Sequence, residues 1–174
     1  GNGGVGHVAV GLANAMGASA VCTARPEYHD ALEDLGAEAV LDYERDDLVE
    51  AAQEATAGAD VVLDAMPDEY IEADVDVAGL DGDIVIIAGG ETTFPATSPA
   101  RSKELDVHMM SMSNLASHPD MPDIAPILED LAELLADDRL EVAINRTYSL
   151  EEGAEAHRAV MEESILGKIL VVPE

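Results

Sequence analysis

The hydrophobic residues of this chain fall into two kinds of pattern, which alternate along its length. Short continuous apolar runs, such as residues 84–88, are typical of strands buried on both faces. Elsewhere apolar residues recur at spacings of three and four, as at Val5, Val8, Leu12 and Met16, which predicts amphipathic helices. The predicted strands are 19–23, 39–42, 59–64, 84–88, 106–112 and 169–172, with an extended segment at 142–147. The predicted helices are 5–16, 26–35, 46–57, 68–78, 124–136 and 150–162.

Turn and loop residues separate these elements. Asp81-Gly82-Asp83 predicts a tight turn ahead of strand 84–88, and Gly89-Gly90 closes that strand. Residues 92–99, which contain two prolines, and residues 114–122 are predicted to be loops.

Buried strands that alternate with helices predict an α/β fold built on a doubly wound parallel sheet, the Rossmann architecture. Right-handed crossovers place helices on both faces of such a sheet. We therefore expect one face of helix 124–136 to point inward, namely Ile127, Leu128, Leu131, Leu134 and Leu135. Ligands of such sheets bind at the carboxyl ends of the strands. The glycines at 1–6 and at 89–90 are predicted to lie at that edge.

The opening stretch, Gly1-Asn2-Gly3-Gly4-Val5-Gly6, has the spacing G-x-G-x-x-G and leads directly into the first helix. In dinucleotide-binding domains the first glycine permits a tight turn, the second lets the pyrophosphate approach, and the third lets helix and strand pack closely. The N–H groups of the helix start then face the phosphates. We therefore predict that Gly1, Gly3, Gly4, Val5 and Gly6 bind a cofactor. A strand should precede the motif, so we expect this chain to be a fragment of a longer protein.

Charge changes this picture in one respect. The 174 residues include 37 acidic and 8 basic side chains, for a net charge of −29, and the acids are spread along the chain. Such a distribution argues against nucleic acid as a partner. Self-repulsion of this size is screened at about 1 M salt, where the Debye length is about 3 Å. We therefore expect a cytoplasmic protein of a halophile; the alternative is an acidic surface that binds a basic partner.

Other chemistry is sparse in the sequence. No apolar run approaches the roughly 20 residues of a membrane span. Cys22 is the single cysteine and lies in an apolar run, which predicts a buried, inert thiol. The five histidines form no pair at metal-ligand helical spacing, so we predict no metal site in this chain. The tyrosine–lysine pair of short-chain dehydrogenases and the G-x-S-x-G elbow are both absent from the sequence.

The end of the strand at 19–23 carries a clue to cofactor choice. NAD-specific domains place a carboxylate there, on the ribose hydroxyls. This chain has Ala24 and Arg25 instead, and a guanidinium suits the 2′-phosphate of NADP. The alternative is a surface arginine that pairs with one of the many acids. We predict NADP as cofactor, with NAD less favoured.

By these elements the chain resembles the cofactor half of the medium-chain dehydrogenase/reductase family, in particular its quinone oxidoreductase and zinc-type alcohol dehydrogenase-like members. The matching segments run from end to end: GNGGVGHVAVGLANAMGA, LEDLGAEAVLDY, ADVVLDAM, LDGDIVIIAGG and YSLEEGAEAHRAVMEESILGKILVV. The resemblance implies a dinucleotide-binding domain over residues 1–141 and a segment, 142–174, that returns to a separate catalytic domain. It also implies a homodimer for the full-length protein, and it leaves open whether that protein holds zinc.

The resemblance also assigns residues to the cofactor. Tyr43 matches a tyrosine near the adenosine phosphate, with a half-buried strand-end tyrosine as the alternative. Tyr28 stands where quinone oxidoreductase-like proteins often carry a lysine, which weakens the case for NADP. Further residues are implied on the nicotinamide side: Ala65, Met66, Gly89, Gly90, Ser111 and Ser113.

These expectations favour the NAD(P)H-binding part of an oxidoreductase that transfers hydride between NADPH and a quinone, enal or alcohol. The fragment itself is expected to be inactive, because the catalytic half is not in it. Two other classes remain open at this stage, a regulatory domain that senses nucleotides without turnover and an S-adenosylmethionine-dependent methyltransferase. The methyltransferase normally needs an acid where Ala24 and Arg25 stand.

Overall fold

The structure is a computed structural model that describes residues 1–91, 93–94 and 97–173, with Ala116 described by its backbone alone. Its strands pair in parallel and alternate with helices, which confirms the predicted α/β fold class. The elements are α1 (Gly6–Ala15), β1 (Ala20–Ala24), a 3₁₀ turn (Pro26–Tyr28), α2 (His29–Asp34), β2 (Ala37–Asp42), α3 (Leu48–Thr56), β3 (Ala59–Asp64), α4 (Pro67–Val77), β4 (Ala78–Ile86), α5 (Thr97–Ser102), β5 (Asp106–Met109), α6 (Met112–Ser117), α7 (Ala125–Ala136), β6 (Ile144–Ser149), α8 (Gly153–Glu162) and β7 (Lys168–Val172).

The chain divides into two compact units. The first comprises Gly1–Arg45 together with Leu128–Glu174, and the second comprises Asp46–Ile127. The domain boundary expected near residue 142 stays a prediction.

In the first unit, β1 and β2 form a parallel pair in which Cys22 lies opposite Val40. Helices α1 and α2 pack on this pair and close a small core around two side chains with no exposure, Ala24 and Leu32. Strands β6 and β7 form a second parallel pair. The apolar residues of the first predicted helix and strands thus make the core that holds the glycine loop in place.

In the second unit, β4 lies between β3 and β5 in a three-stranded parallel ladder. Ile84 and Ile86 are 0% and 7% exposed and occupy alternate positions of β4, so they face the same side of the sheet. Helix α4 covers that side with Ile71 and Val75. The carboxyl ends of β3 and β4 lead into the segments that carry the remaining predicted cofactor residues.

The predicted turn at Asp81-Gly82-Asp83 is wrong, because these residues lie inside β4. The pairing shifts there: Ala59 lies opposite Ala78, whereas Val61 lies opposite Asp83. Asp81 adopts a φ of 60°, and its N–H donates to the carbonyl of Lys103. The local turn chemistry therefore produces a bulge, after which the chain resumes pairing with the same neighbour.

Two predicted loops contain helix. Helix α5 begins at Thr97, within the predicted loop 92–99, and Pro99 occupies its first turn, where a proline is tolerated. Of that loop, residues 92, 95 and 96 lie outside the described part of the chain. Helix α6 ends at Ser117, within the predicted loop 114–122.

Two predicted strands end earlier than expected, although their identity is right. The strand predicted at 106–112 ends at Met109, because the chain turns into α6, whose N-cap is Ser111. The strand predicted at 84–88 ends at Ile86.

The inward face expected for α7 is wrong in this structure. Ile127, Leu128 and Leu135 are 57%, 56% and 44% exposed, while Leu131 and Leu134 are half-buried. On β3, Val61 and Leu63 are also exposed, so that strand is not buried on both faces. Periodicity identifies the apolar face of an element, but whether another element covers that face is a tertiary property.

No helix in the described ranges is long and apolar enough to cross a bilayer.

Candidate dinucleotide-binding site

The glycine loop has one crowded position and one open position. A Cβ built at Gly6 would overlap the carbonyl oxygen of Gly1 and lie 2.9 Å from its carbonyl carbon, so a side chain cannot fit there. A Cβ built at Gly3 would meet nothing within 4 Å. These are two properties that the motif needs: close packing at its last glycine, where the helix begins, and free space at the second, where a phosphate can approach the backbone.

The helix that follows begins without a negative charge of its own. Helix α1 has no acidic residue in its first turn, and no side chain caps its N-terminus. His7, in this turn, is completely buried, and its Nδ1 lies 2.9 Å from the carbonyl oxygen of Gly3. In a chain with 37 acidic residues, an acid-free helix start leaves the positive end of the helix dipole available to an anion.

A lysine lies directly beside this loop. A Cβ built at Gly4 would lie 3.1 Å from Nζ of Lys168, the first residue of β7. This ammonium group, from the far end of the chain, therefore stands at the loop where a pyrophosphate would bind. Sequence reasoning missed Lys168; the available signal was that the chain has only two lysines and that one of them follows Gly167 in GKILVV.

Backbone and amide contacts hold the closing segment against the loop. Asn2 accepts a hydrogen bond from the N–H of Gly167 at 2.9 Å, and its side-chain amide donates to the carbonyl of Ile165 at 2.9 Å. Asn2, the middle residue of the first G-x-G, thus helps to place Lys168 beside the loop.

At the end of β1, Arg25 is held by Tyr43. The Arg25 Nε donates to the Tyr43 hydroxyl at 2.6 Å; Arg25 is exposed and Tyr43 is half-buried. The hydrogen bond, together with the field of Tyr43, raises the pKa of the Arg25 guanidinium above its usual value. Ala24, the last residue of β1, is fully buried and contributes backbone alone at this point. The structure therefore brings together two residues that were predicted separately from the sequence.

Tyr28 has a structural contact of its own. Its hydroxyl donates to the carbonyl of Ser164 at 2.6 Å, and its ring packs on the core of the first unit. It therefore has a structural role at this position and brings no positive charge, whereas Arg25 places a guanidinium at the end of β1.

In the second unit, Ala65 and Met66 follow β3 directly and are both exposed. The Met66 N–H donates to Oδ1 of Asp64 at 2.6 Å, while Asp64 itself is buried, with 5% of its surface exposed. The backbone of this turn is therefore fixed by a buried carboxyl group at the carboxyl end of β3.

The other residues predicted on the nicotinamide side also follow strands of this unit. A Cβ at Gly89 would meet nothing within 4 Å, whereas at Gly90 it would meet the carboxylate of Asp68, with Cγ at 2.6 Å. Ser111 and Ser113, after β5, have hydroxyl oxygens 2.9 Å apart. The backbone at Gly89 is thus open to a ligand, whereas Gly90 is covered by the side chain of Asp68.

The described residues do not fit a metal centre. Among them, no group of three or more His, Cys, Asp or Glu residues is arranged to hold a metal ion. Cys22 is half-buried, and burial raises the pKa of its thiol, in keeping with the inert role expected from the sequence.

The parallel α/β fold, with a glycine loop at the start of its first helix, defines the class as a nicotinamide-dinucleotide-binding domain. A family model described as zinc-binding dehydrogenase matches residues 35–171, which is more than half of the chain. The chain therefore belongs to the zinc-binding dehydrogenase family, and the resemblance to medium-chain dehydrogenases drawn from the sequence is confirmed.

Two curated relatives and one solved structure, the latter for the fold alone, are similar to the chain. The chain is 26% identical to a zinc-type alcohol dehydrogenase-like protein of Schizosaccharomyces pombe, over 98% of this chain and 49% of the relative. It is 28% identical to a quinone oxidoreductase of Salmonella typhimurium, over 98% of this chain and 54% of the relative. A crystal structure of an alcohol dehydrogenase of Sinorhizobium meliloti superposes with a TM-score of 0.86 at 24% identity, over 99% of this chain and 46% of that one. The chain spans about half the length of the curated relatives it matches.

Proposed function

We propose that this chain is the cofactor-binding part of an oxidoreductase that transfers hydride between NADPH and a quinone, enal or alcohol. Its family comprises oxidoreductases that bind a nicotinamide cofactor and act on small molecules. The preference for NADPH rests on one observation, the Arg25 guanidinium that Tyr43 holds at the end of β1. When bound, the cofactor supplies the hydride chemistry, and the residues of this chain bind and orient it.

The 2′-phosphate of NADPH carries nearly two negative charges and would enter a strongly acidic protein. Without a cation close by, it would be repelled, whereas the 2′-hydroxyl of NADH would not. Glu27 and Glu44 are close enough to Arg25 to act on its charge. Arg25 must therefore hold the phosphate against two neighbouring carboxylates, and its hydrogen bond to Tyr43 fixes the guanidinium for that purpose.

The pyrophosphate would lie at the glycine loop. Gly3 leaves space for it, the start of α1 offers backbone N–H groups, and Lys168 adds a positive charge beside Gly4. This part of the cofactor is the same in NADH and NADPH. The proposal therefore gives Lys168 a role in binding both cofactors and Arg25 a role in choosing between them.

For the nicotinamide end, the proposal rests on the family resemblance. It assigns backbone contacts to the segments that follow β3 and β4, where Gly89 is open, and contacts to the carboxamide from the serines after β5. The substrate is a small molecule, and its contacts are assigned to other parts of the full-length protein, which we propose to be a homodimer. We accordingly expect no turnover from this chain alone.

The test is to measure the dissociation constants of NADPH and NADH for this chain and for Arg25→Ala at one fixed salt concentration. The substitution should weaken NADPH by about tenfold or more and leave NADH nearly unchanged, because only NADPH carries the 2′-phosphate. High salt should reduce the difference, since the site is exposed.

A matched control is Arg158→Ala, which removes the same charge from an exposed arginine of α8. It should leave both dissociation constants unchanged. Equal weakening of the two cofactors by Arg25→Ala would make Arg25 a structural residue, and a preference of the unmodified chain for NADH would overturn the assignment of NADP.

A further inference from the structure

Two buried carboxyl groups face each other beneath the turn at Ala65 and Met66. Asp64, the last residue of β3, is 5% exposed, and Asp74, in the middle of α4, is 9% exposed. Asp64 is close enough to Asp74 to act on it both as a hydrogen-bond partner and as a charge. Each also has a buried Oδ2 atom without a partner in the described part of the chain.

A hydrogen bond between two carboxyl groups requires a proton on one of them, because an ionised carboxylate only accepts. The unpartnered oxygens also indicate a proton on one of the two groups, since a buried carboxylate with an unsatisfied oxygen is costly. The pair therefore holds one proton between two groups that would both be ionised in water at neutral pH.

We propose that Asp74 is a positioning residue, which shares one proton with Asp64 and thereby fixes the Ala65–Met66 turn in a pH-dependent way. The mechanical link is the hydrogen bond from the Met66 N–H to Oδ1 of Asp64, at 2.6 Å. Release of the shared proton to solvent leaves two carboxylates in contact, and their repulsion separates α4 from the end of β3. The consequence for the nicotinamide rests on the proposed function above, whereas the proton sharing does not.

Burial, followed by the hydrogen bond and charge of Asp64, raises the pKa of Asp74 from 3.8 to about 8. A carboxyl group whose pKa is higher in the folded chain than in the unfolded chain stabilises the fold fully at low pH. That stabilisation is lost as pH rises from about 4 to about 8. Above this range the folded chain also releases the proton, and the pair is doubly ionised.

The other titratable groups on α4 and on the elements packed against it have other contacts or are exposed to solvent, apart from the half-buried Tyr70. Lys103 binds backbone carbonyls at the end of α4, and Asp83 lies 2.6 Å from His108. The remaining groups are exposed to solvent: Glu50 and Glu54 on α3, Asp60 on β3, Asp68, Glu69, Glu72 and Asp76 on α4, Asp81 on β4 and Arg101 on α5. Asp64 is the charge that acts on Asp74.

The test compares this chain with Asp74→Asn by urea unfolding between pH 5 and pH 8, at constant ionic strength. The amide donates to Asp64 at every pH and cannot release a proton. The folding equilibrium constant of the unmodified chain should fall by up to about tenfold per pH unit relative to the variant. Asp64→Asn should remove the same pH dependence, so the test does not depend on one variant folding.

Glu72→Gln, on the exposed side of the same helix, is the matched control and should keep the pH dependence of the unmodified chain. Hydrogen exchange of the Met66 amide adds a local measurement, which should rise above pH 8 in the unmodified chain after correction for intrinsic rates, and not in Asp74→Asn. Parallel pH profiles for the chain and both Asn variants would overturn the proposal. None of these measurements uses a cofactor, so their outcome is separate from that of the NADPH proposal.

Discussion

At the scale of single residues, position in the fold decides which of the few cations lie where the cofactor is proposed to bind. Among the chain's eight lysines and arginines, Arg25 lies on Tyr43, Lys168 lies beside Gly4, and Lys103 lies on backbone carbonyls. Against 37 acids, an unassigned cation would be expected to pair at the surface. Arg25 and Lys168 lie at two ends of one predicted site, so we expect their replacement to have different effects on the binding of NADPH and NADH.

Replacement of Lys168 by Met should weaken NADPH and NADH to the same extent, by about five- to tenfold at low salt. The reason is that the pyrophosphate is common to both cofactors and Lys168 is exposed, so its charge is partly screened. Titration of both cofactors by fluorescence or calorimetry would measure this. Arg158→Met is the control. A loss confined to NADPH would assign Lys168 to the 2′-phosphate instead.

At the scale of secondary-structure elements, the end of α4 is held by the other lysine. The Lys103 Nζ donates to the carbonyls of Val75, Asp76 and Ala78 at 2.8, 2.7 and 2.8 Å. These carbonyls belong to the last turn of α4 and to its C-cap, where a cation also opposes the negative end of the helix dipole. Lys103 thus joins the segment after α5 to the end of α4.

Lys103→Met keeps most of the side chain and removes all three hydrogen bonds. The free energy of unfolding should fall by about 2–3 kcal/mol, because carbonyls in a partly buried helix end lose a charged donor. Urea unfolding of this chain measures it. Arg101→Met, an exposed cation of α5, controls for the change in net charge and should cost well under 1 kcal/mol. Equal losses in the two variants would assign the effect to overall charge.

At the scale of the whole molecule, the net charge of −29 dominates. Eight basic side chains can offset only a minority of the 37 acids. Two of the ion pairs with arginine, Arg146 with Glu163 and Arg158 with Glu155, lie on the surface. Folding brings these charges closer together than they are in the unfolded chain, and the repulsion opposes folding at low salt.

The melting temperature should therefore rise as KCl is increased from about 0.1 M to multimolar concentrations, where screening is nearly complete. A neutral osmolyte such as sucrose, which stabilises proteins without screening, is the control. Its effect should be the same at every salt concentration. A melting temperature that does not change with KCl would refute the expectation of a protein adapted to high salt.

The sequence by itself determined the class of fold, because alternating buried strands and amphipathic helices are local patterns with few compatible architectures. It also predicted the glycine loop and, in outline, the residues proposed to bind the cofactor, since Gly1–Gly6, Arg25 and Tyr43 lie at predictable ends of elements. Its errors were local ambiguities, as at Asp81, where the same residues form a turn or a bulge according to what the next strand pairs with.

The tertiary structure alone decided which distant groups meet. Lys168 stands beside Gly4, Asp64 acts on the carboxyl group of Asp74, and Lys103 caps α4. The partners in these contacts cannot be read from the sequence, because each contact depends on the path of the chain between two elements. Burial is decided in the same way: Asp64 and Asp74 are enclosed while the apolar face of α7 is exposed, and both follow from what packs against each element.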